Sequence, residues 1–424
     1  MKTPPLTLVA AGTAGSMRCA VLDSVGKIGL RHAMIPACGP REVRVKITYV
    51  GICGSDLETY RGCRAPEFFS TPMRLGHEVA GVLDEVGGAV VGLAKGDQVT
   101  CRYVWGAFAE FITCEPFNVK VLPPAFPKLE ISLIEILPGV IHAAELAAIT
   151  PHTDVLITGQ GVSGLVITQV VKLFSPRSLI VTDLKDRNLE LARKYGATHT
   201  YKLANEHCSS AEAIRADFPH GVEVVIPCLL DGDMMQDALD ALALGGRIVM
   251  YGACGGAPAA ARRRTRAALT RSPPSLSPLP RAGCIGPCKY FDFFKLHRKR
   301  GVIMSTEPRR DIDMRRWFQE GVQMVLDGTV YTSEMITHVF PLERVAEAFD
   351  LRNNKDSACG AIHVLIDCEA TAGGSAKAVV DIPYAPPPAH ALSSAGPLRT
   401  GWSEGAGGGS GGCGHAGGSH AAAH

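Results

Sequence analysis

Three side chains that bind metals well stand near the start of the chain. Cys53 lies in the glycine-rich turn Gly51–Asp56, and His77 and Glu78 follow directly after Gly76. Thiolate, imidazole and carboxylate groups are ligands that Zn²⁺ prefers, and a catalytic zinc takes three protein ligands and keeps one position open. One buried cysteine is usually only a small hydrophobic residue. The combination is more specific and predicts a catalytic zinc site, in which Glu78 is either a ligand or the partner of a neighbouring ligand.

A cluster of glycines further along the chain is typical of a dinucleotide site. The apolar run 154–158 predicts a buried strand, and Gly159, Gly161 and Gly164 follow it in the spacing G-x-G-x-x-G, before an apolar helix. The first glycine permits a tight turn, the second lets a pyrophosphate approach the backbone, and the third permits close packing. We therefore predict cofactor contacts at these glycines and at Val162, where N–H groups of the helix start face the phosphates.

An acidic residue ends the next predicted strand, 178–183. Asp183 follows Gly164 at close to the spacing of about 20 residues expected for the residue that binds the ribose hydroxyls. Its charge would repel a 2′-phosphate, which favours NAD over NADP, although Lys185 and Arg187 lie near enough to weaken that preference. The alternative is that Asp183 only caps the following helix.

The elements that must position these residues can also be predicted. Residues 42–50 alternate polar and apolar side chains, which indicates a half-buried strand that ends at Gly51 and delivers Cys53. Short strands and glycine turns continue to about Val121. From residue 154 onwards, strands alternate with helices, which predicts a doubly wound parallel sheet.

The composition fits a globular chain of two domains. The 424 residues carry a formal charge of +2, with 46% hydrophobic and 20% charged residues. Near-neutral charge gives no reason to expect nucleic acid or acidic membranes as partners, and no apolar run reaches the roughly 20 residues of a membrane span. The 14 cysteines are scattered, and residues 1–16 lack the apolar core of a signal peptide. We therefore expect a reduced compartment, the cytoplasm.

Taken together, the motifs resemble those of the zinc-dependent medium-chain alcohol dehydrogenases, the group that includes sorbitol and threonine dehydrogenases. The resemblance spans roughly Met17 to Asp367, and it is carried by Gly51–Asp56, Leu75–Gly81, Gly96–Val99, Gly159–Gly164 and Leu342–Phe349. It implies an enzyme that transfers a hydride between NAD(P) and a secondary alcohol or polyol hydroxyl. It also implies one catalytic zinc per chain, a small alcohol or ketone as substrate, and a homodimer or homotetramer.

The resemblance also assigns roles to individual residues. It implies a metal set of Cys53, His77, Glu78 and Glu135, the last of which reaches back to the zinc. Ser55, two residues after Cys53, would accept the substrate proton, and Glu58 stands where many members carry a histidine that completes the proton relay. The alternative for Glu135 is a surface carboxylate at a helix start, where negative charge suits the helix dipole.

The implied fold class is α/β, with a GroES-like β-rich catalytic domain and a Rossmann domain built on a doubly wound parallel sheet. The predicted divisions are a flexible N-terminus (1–16), the catalytic domain (17–133), the NAD-binding domain (134–330) with a disordered insertion (253–287), a return to the catalytic domain (331–368), and a disordered low-complexity tail (369–424). The insertion is rich in Ala, Arg, Pro and Ser, a composition that cannot bury a core.

One departure from the family pattern concerns a second metal. Members commonly carry a lobe with four cysteines that bind a structural zinc, but here the chain runs from Cys101 to Gly106 almost directly, and only Cys114 is nearby. Two cysteines cannot close a tetrahedral site, so we predict no structural zinc.

Two alternative functions also remain open, a zinc-independent quinone or enone reductase and a non-catalytic NAD-binding protein, although neither would need Cys53 and His77.

Overall fold

The computed structural model describes most of the predicted globular part of the chain. The described residues are 7–63, 70–204, 209–229, 234–252, 291–306, 310–353, 360–370 and 377–378. The insertion predicted over 253–287 lies outside them, as does most of the predicted tail.

The first structural unit is built from β-strands. Its strands are β1 Leu8–Val9, β2 Ser16–Ser24, β3 Lys27–Met34, β4 Val43–Gly51, β5 Glu78–Val86, β6 Gln98–Cys101, β7 Phe111–Cys114 and β8 Val119–Leu122. Strand β4 has the predicted alternation, because Val43, Val45 and Ile47 are buried while Arg44 and Lys46 are more exposed. That pattern fixes the face of the sheet on which the end of β4 presents its residues.

The second unit is a parallel sheet. Its strands are β9 Asp154–Thr158, β10 Ser178–Asp183, β11 His199–Lys202, β12 Val222–Pro227, β13 Leu242–Met250 and β14 Val302–Ser305. They lie in the order β11-β10-β9-β12-β13-β14, and each neighbouring pair is parallel. The chain order reverses at β9, and in such sheets ligands bind at the carboxyl ends of the strands beside the reversal. The predicted α/β class is confirmed.

The last strands rejoin the β-rich unit. They are β15 Ile336–Pro341, β16 His363–Asp367 and β17 Lys377–Ala378. The resulting mixed sheet has the order β17-β15-β16-β4-β5-β6-β8, and β7 pairs with β4.

Helices and short helical turns connect these strands. Within the described residues the helices are α1 Gly54–Tyr60, α2 Lys128–Ile131, α3 Leu137–Ala147, α4 Val162–Lys172, α5 Asp186–Lys194, α6 Ala211–Asp217, α7 Met234–Ala241, α8 Phe293–Arg298, α9 Arg310–Ile312, α10 Phe318–Leu326 and α11 Val345–Asn353. Between α9 and α10, the residues Asp313–Trp317 form a π-helical turn.

Two predicted boundaries need correction. Leu8 and Val9 pair with β3, so this part of the segment 1–16 forms a strand instead of a flexible end. At the other end, β17 pairs with β15, and Glu369 forms an ion pair with Lys46, 2.9 Å apart. These residues therefore belong to the β-rich unit and not to a disordered tail.

One apolar cluster joins the two units. It includes Ala80 of β5, Leu122 of β8, Leu137 of α3, Ile157 of β9 and Phe318 of α10, each no more than 2% exposed. Burying a large apolar side chain stabilises a fold by about 1.5–3 kcal/mol, so this shared core holds the two units together. No helix in the described ranges is both long and apolar enough to cross a membrane.

Candidate active site

The three predicted metal ligands converge where two neighbouring strands meet. Cys53 follows the end of β4, and Glu78 is the first residue of β5, directly after His77. The two strands are antiparallel, and their register places Gly51 opposite Glu78. The ligand atoms of Cys53, His77 and Glu78 consequently lie within 4.8 Å of one another, and we call these residues the metal trio.

Asp56 holds both turns that carry the trio. Its Oδ2 accepts a hydrogen bond from the Cys53 backbone N at 3.0 Å, and its Oδ1 accepts one from the Gly76 backbone N at 3.0 Å. The same Oδ1 lies 3.6 Å from His77 Nδ1, while Ser55 Oγ lies 3.4 Å from His77 Nε2. A carboxylate behind a ligand histidine fixes the ring and leaves its other nitrogen for the metal.

The trio fits a soft, dipositive ion. Burial and the nearby Glu78 raise the pKa of the Cys53 thiol, and burial raises the pKa of Glu78 to about 7. Burial would lower the pKa of His77, but Asp56 and Cys53 beside it raise that pKa well above its ordinary value. One thiol, one imidazole and one carboxylate whose ligand atoms lie this close together suit zinc.

Glu135 lies beside the trio but is held by another group. Arg102 Nη1 donates to Glu135 Oε1 at 2.6 Å and to the Glu135 backbone O at 2.5 Å. In the described part of the chain, the group of mutually close metal-binding side chains contains Cys53, His77 and Glu78 but not Glu135. Burial raises the pKa of Glu135, and Arg102 opposes that shift. Its role as a fourth ligand stays a prediction.

Arg102 reaches from this site to the π-helical turn. Its Nε donates to both carboxylate oxygens of Asp313 at 2.9 Å, and its Nη2 donates to Oδ2 at 2.8 Å. Tyr103 donates to the same Oδ2 at 2.6 Å from a left-handed backbone conformation, φ +62°. Asp313 is fully buried. The short loop after β6 therefore anchors the metal-site region to the second unit.

Trp105, in the same loop, packs on the metal trio. Its ring centroid lies 4.6 Å from that of His77, with the ring planes tilted by 45°. Cys101 and Cys114, the two cysteines that flank this loop, are buried free thiols.

A cavity of about 810 Å³ connects Cys53 and Glu78 of the metal trio with the turn 159–164, which we call the glycine turn; His77 does not line it. The predicted residues that line it are Cys53, Ser55, Glu58, Glu78, Glu135, Gly159, Gly161, Val162, Gly164 and Asp183. Ser55 is half-buried and Glu58 is 5% exposed. Their predicted roles in proton transfer are compatible with these positions and stay predictions.

The glycine turn has the geometry that a dinucleotide requires. Gly159 adopts φ +86°, and a Cβ on Gly164 would lie 1.9 Å from the Gly159 carbonyl oxygen, so no side chain fits there. A Cβ on Gly161 would meet nothing within 4 Å, which leaves open space at the start of α4. The unpaired N–H groups of this 11-residue helix suit a pyrophosphate.

Asp183 lies at the carboxyl end of β10, beside that turn. Its Oδ2 accepts from the Gln160 backbone N at 2.6 Å, and its Oδ1 accepts from the Lys185 backbone N at 2.8 Å and from Asn188 Nδ2 at 3.1 Å. Burial raises the pKa of Asp183, and these donors oppose the shift. The carboxylate thus stabilises the loop between β10 and α5, and it also lines the cavity.

Comparison with known proteins agrees with this geometry. Residues 39–124 match the alcohol dehydrogenase GroES-like domain, and residues 163–271 match the zinc-binding dehydrogenase domain. The chain is 31% identical to sorbitol dehydrogenase of Bacillus subtilis over 267 aligned residues. The aligned region covers 56% of this chain and 75% of that protein. The chain belongs to the zinc-dependent medium-chain alcohol dehydrogenases.

Further relatives of this dehydrogenase agree in class. L-idonate 5-dehydrogenase of Vitis vinifera is 30% identical over 263 residues, 54% of this chain and 72% of that protein. A zinc-binding dehydrogenase from Sinorhizobium meliloti, solved with NADP bound, has the same fold at 22% identity, with a TM-score of 0.65, over 83% of this chain and 99% of that one. The dehydrogenase is thus a zinc-containing, NAD(P)-dependent oxidoreductase, and nothing in these comparisons favours the alternative functions.

Sequence motifs assigned no role to Asp56, Arg102 or Asp313 in this dehydrogenase. The spacing of Asp56 three residues after Cys53 is that of a capping box, which could have revealed its bond to the Cys53 backbone. Arg102 and Asp313 are far apart in the chain and carry no local signal. The fold brings the loop after β6 against the π-helical turn and so places the two side chains together.

Proposed function

We propose that this dehydrogenase oxidises a secondary hydroxyl of a polyol-like substrate to a ketone, with NAD as hydride acceptor, and catalyses the reverse reduction. The observation that supports this most directly is the shared cavity of about 810 Å³, which is lined both by Cys53 and Glu78 and by the glycine turn. The reacting carbon and the nicotinamide can therefore meet between the two units. The relatives named for sorbitol and L-idonate support a polyhydroxylated substrate.

The metal trio would hold the zinc. A bound zinc acts as a Lewis acid that lowers the pKa of an alcohol oxygen and so favours loss of the hydroxyl proton near neutral pH. Asp56 keeps the His77 ring oriented, because its Oδ1 lies 3.6 Å from Nδ1. Cys53 is half-buried and lines the cavity, so one side of the trio remains accessible to substrate.

Ser55 and Glu58 are proposed to remove the substrate proton. Both side chains line the cavity on helix α1, and Ser55 Oγ lies 3.4 Å from His77 Nε2. Residues three apart share one face of a helix, so a proton taken by Ser55 can pass to Glu58. A carboxylate can both accept and donate a proton, as a relay requires.

Asp183 is proposed to favour NAD over NADP. Its carboxylate faces the cavity and would repel a 2′-phosphate. We expect Asp183→Asn to raise the ratio of kcat/KM for NADP to that for NAD by about tenfold, a change of about 1.4 kcal/mol. Asp186→Asn, at an exposed carboxylate of α5, is the matched control. A ratio unchanged in Asp183→Asn would contradict this assignment.

The proposed function is tested by metal content and turnover of the purified chain. We expect about one zinc per chain and NAD-dependent oxidation of polyols, both lost in Cys53→Ser. Cys38→Ser is the matched control, because Cys38 is half-buried outside the cavity. A wild-type chain that oxidises polyols without bound zinc, or that binds zinc and NAD without turnover, would refute the proposal.

Assembly and location are further proposals. We propose a homodimer or homotetramer in the cytoplasm. Strand β14 ends the parallel sheet as the structure describes it, and Val302 on that strand is 49% exposed. Such an edge offers backbone groups to a second copy. Sedimentation of the purified chain tests this, and a monomer at micromolar concentration would refute it.

A further inference from the structure

His363 contacts the metal trio from a strand to which the motifs gave no role. Strand β4 lies between β16 and β5, and Gly51 at its end is opposite Leu365 on one side and Glu78 on the other. His363 precedes Leu365 by two residues, and side chains two apart point to the same face of a strand. His363 and Glu78 therefore approach each other across Gly51.

Gly51 makes that approach sterically feasible. A Cβ at this position would lie 2.1 Å from Glu78 Oε2 and 2.6 Å from both Cε1 and Nε2 of His363. The missing side chain creates a notch between the strands, and both neighbouring side chains occupy it. No other residue type at position 51 would leave this space.

The two polar atoms that meet in the notch are both unpaired. His363 Nε2 lies 3.5 Å from Glu78 Oε2, and the two residues are 1% and 2% exposed. Neither atom has a hydrogen-bond partner within the described residues, although both are buried. Buried polar atoms are nearly always paired, so each is the natural partner of the other.

We propose that His363 is a positioning residue that holds the Glu78 carboxylate through Nε2–H and Oε2, and so turns the other carboxylate oxygen toward Cys53 and His77. This inference rests on the proposed function, because it assigns His363 to the same zinc site. A ligand carboxylate fixed in this way binds metal more tightly, and loss of such a partner typically lowers metal affinity 10- to 100-fold.

The test compares amide side chains of different length. Gln places its amide nitrogen about where Nε2 of His lies, whereas the Asn amide is too short to reach Glu78. We expect His363→Gln to keep zinc affinity within about threefold of wild type, and His363→Asn to lose 10- to 100-fold. His338→Asn, at a half-buried histidine of β15 outside the cavity, is the matched control and should bind zinc normally.

Zinc affinity is measured by chelator competition on the metal-free proteins, each shown to be folded by circular dichroism. Absorption spectra of the Co²⁺ forms add a second readout, because they change when a carboxylate leaves the coordination sphere. Equal zinc affinity in wild type and His363→Asn would overturn the inference and leave the proposed function intact. Equal losses in the Gln and Asn variants would also overturn it. A wild-type chain that binds no zinc would instead refute the proposed function itself.

Discussion

The metal trio illustrates how much a buried environment changes individual side chains. Cys53, His77 and Glu78 each have a raised pKa in the metal-free protein, so each tends to keep a proton. A metal ion must displace those protons in order to bind. Burial of Cys53 and Glu78, together with the acidic neighbours of His77, thus makes zinc occupancy dependent on pH.

Zinc affinity should therefore increase with pH. We expect the dissociation constant to fall between about pH 6 and 8 by roughly tenfold per unit for each proton displaced. Calorimetric titration in two buffers of different ionisation enthalpy counts those protons. Glu78→Gln should release fewer of them and show a shallower dependence. A zinc dissociation constant that does not change with pH across this range would contradict the conclusion that the metal trio holds protons before zinc binds.

Stability of the metal-free chain should change in the opposite direction. Folding raises the pKa of Glu78 from 4.5 to about 7, so between these values the folded chain holds a proton that the unfolded chain has lost. The contribution of Glu78 is fully present below about pH 4.5 and is lost as the pH rises through about 7. The free energy of unfolding, measured by urea titration, should fall less with pH in Glu78→Gln. If the free energy of unfolding of Glu78→Gln fell as steeply with pH as that of the wild type, the raised pKa of Glu78 could not be the cause.

Among the elements, the turn between β9 and α4 depends most strictly on its sequence. A Cβ on Gly164 would lie 1.9 Å from the Gly159 carbonyl, so Gly164→Ala must move the turn or the helix, at a cost of about 1–3 kcal/mol. We expect NADH binding, followed by fluorescence, to weaken while the metal trio still binds zinc. Gly88→Ala, where a Cβ meets nothing within 4 Å, should leave both unchanged. Normal NADH affinity in Gly164→Ala would disprove the close contact.

The elements also show which features can be inferred from sequence. Strand β4, the glycine turn and Asp183 are encoded by local patterns, since alternation and glycine spacing act over a few residues. The bond between Arg102 and Asp313 joins residues 211 positions apart, and the contact of His363 with Glu78 requires three adjacent strands in one register. Such contacts follow from packing, and no short pattern within the sequence encodes them. The metal role predicted for Glu135 stays a prediction, and its bond to Arg102 has no local signal in the sequence.

At the scale of the whole molecule, the buried bond between Arg102 and Asp313 joins two regions that are far apart in the chain. It links the end of β6 to the π-helical turn, and both side chains are buried. Arg102→Met would leave Asp313 and Glu135 without their cation, and breaking a buried pair in this way costs about 3–5 kcal/mol. Thermal unfolding should show a large loss of stability. Arg316→Met, whose ion pair with Glu145 is exposed, should cost less than about 1 kcal/mol. Equal effects in both variants would contradict the structural role of the network.

The contact between Trp105 and His77 gives the protein an optical signal of its own. The indole of Trp105 lies 4.6 Å from the imidazole of His77, so its emission should change when His77 binds a metal ion. Trp317 stacks instead on His142, 4.3 Å away and not among the metal ligands. Zinc titration should therefore alter the fluorescence of wild type and of Trp317→Phe, but not that of Trp105→Phe. With this signal, metal loading can be followed in real time, without substrate, nucleotide or an added dye.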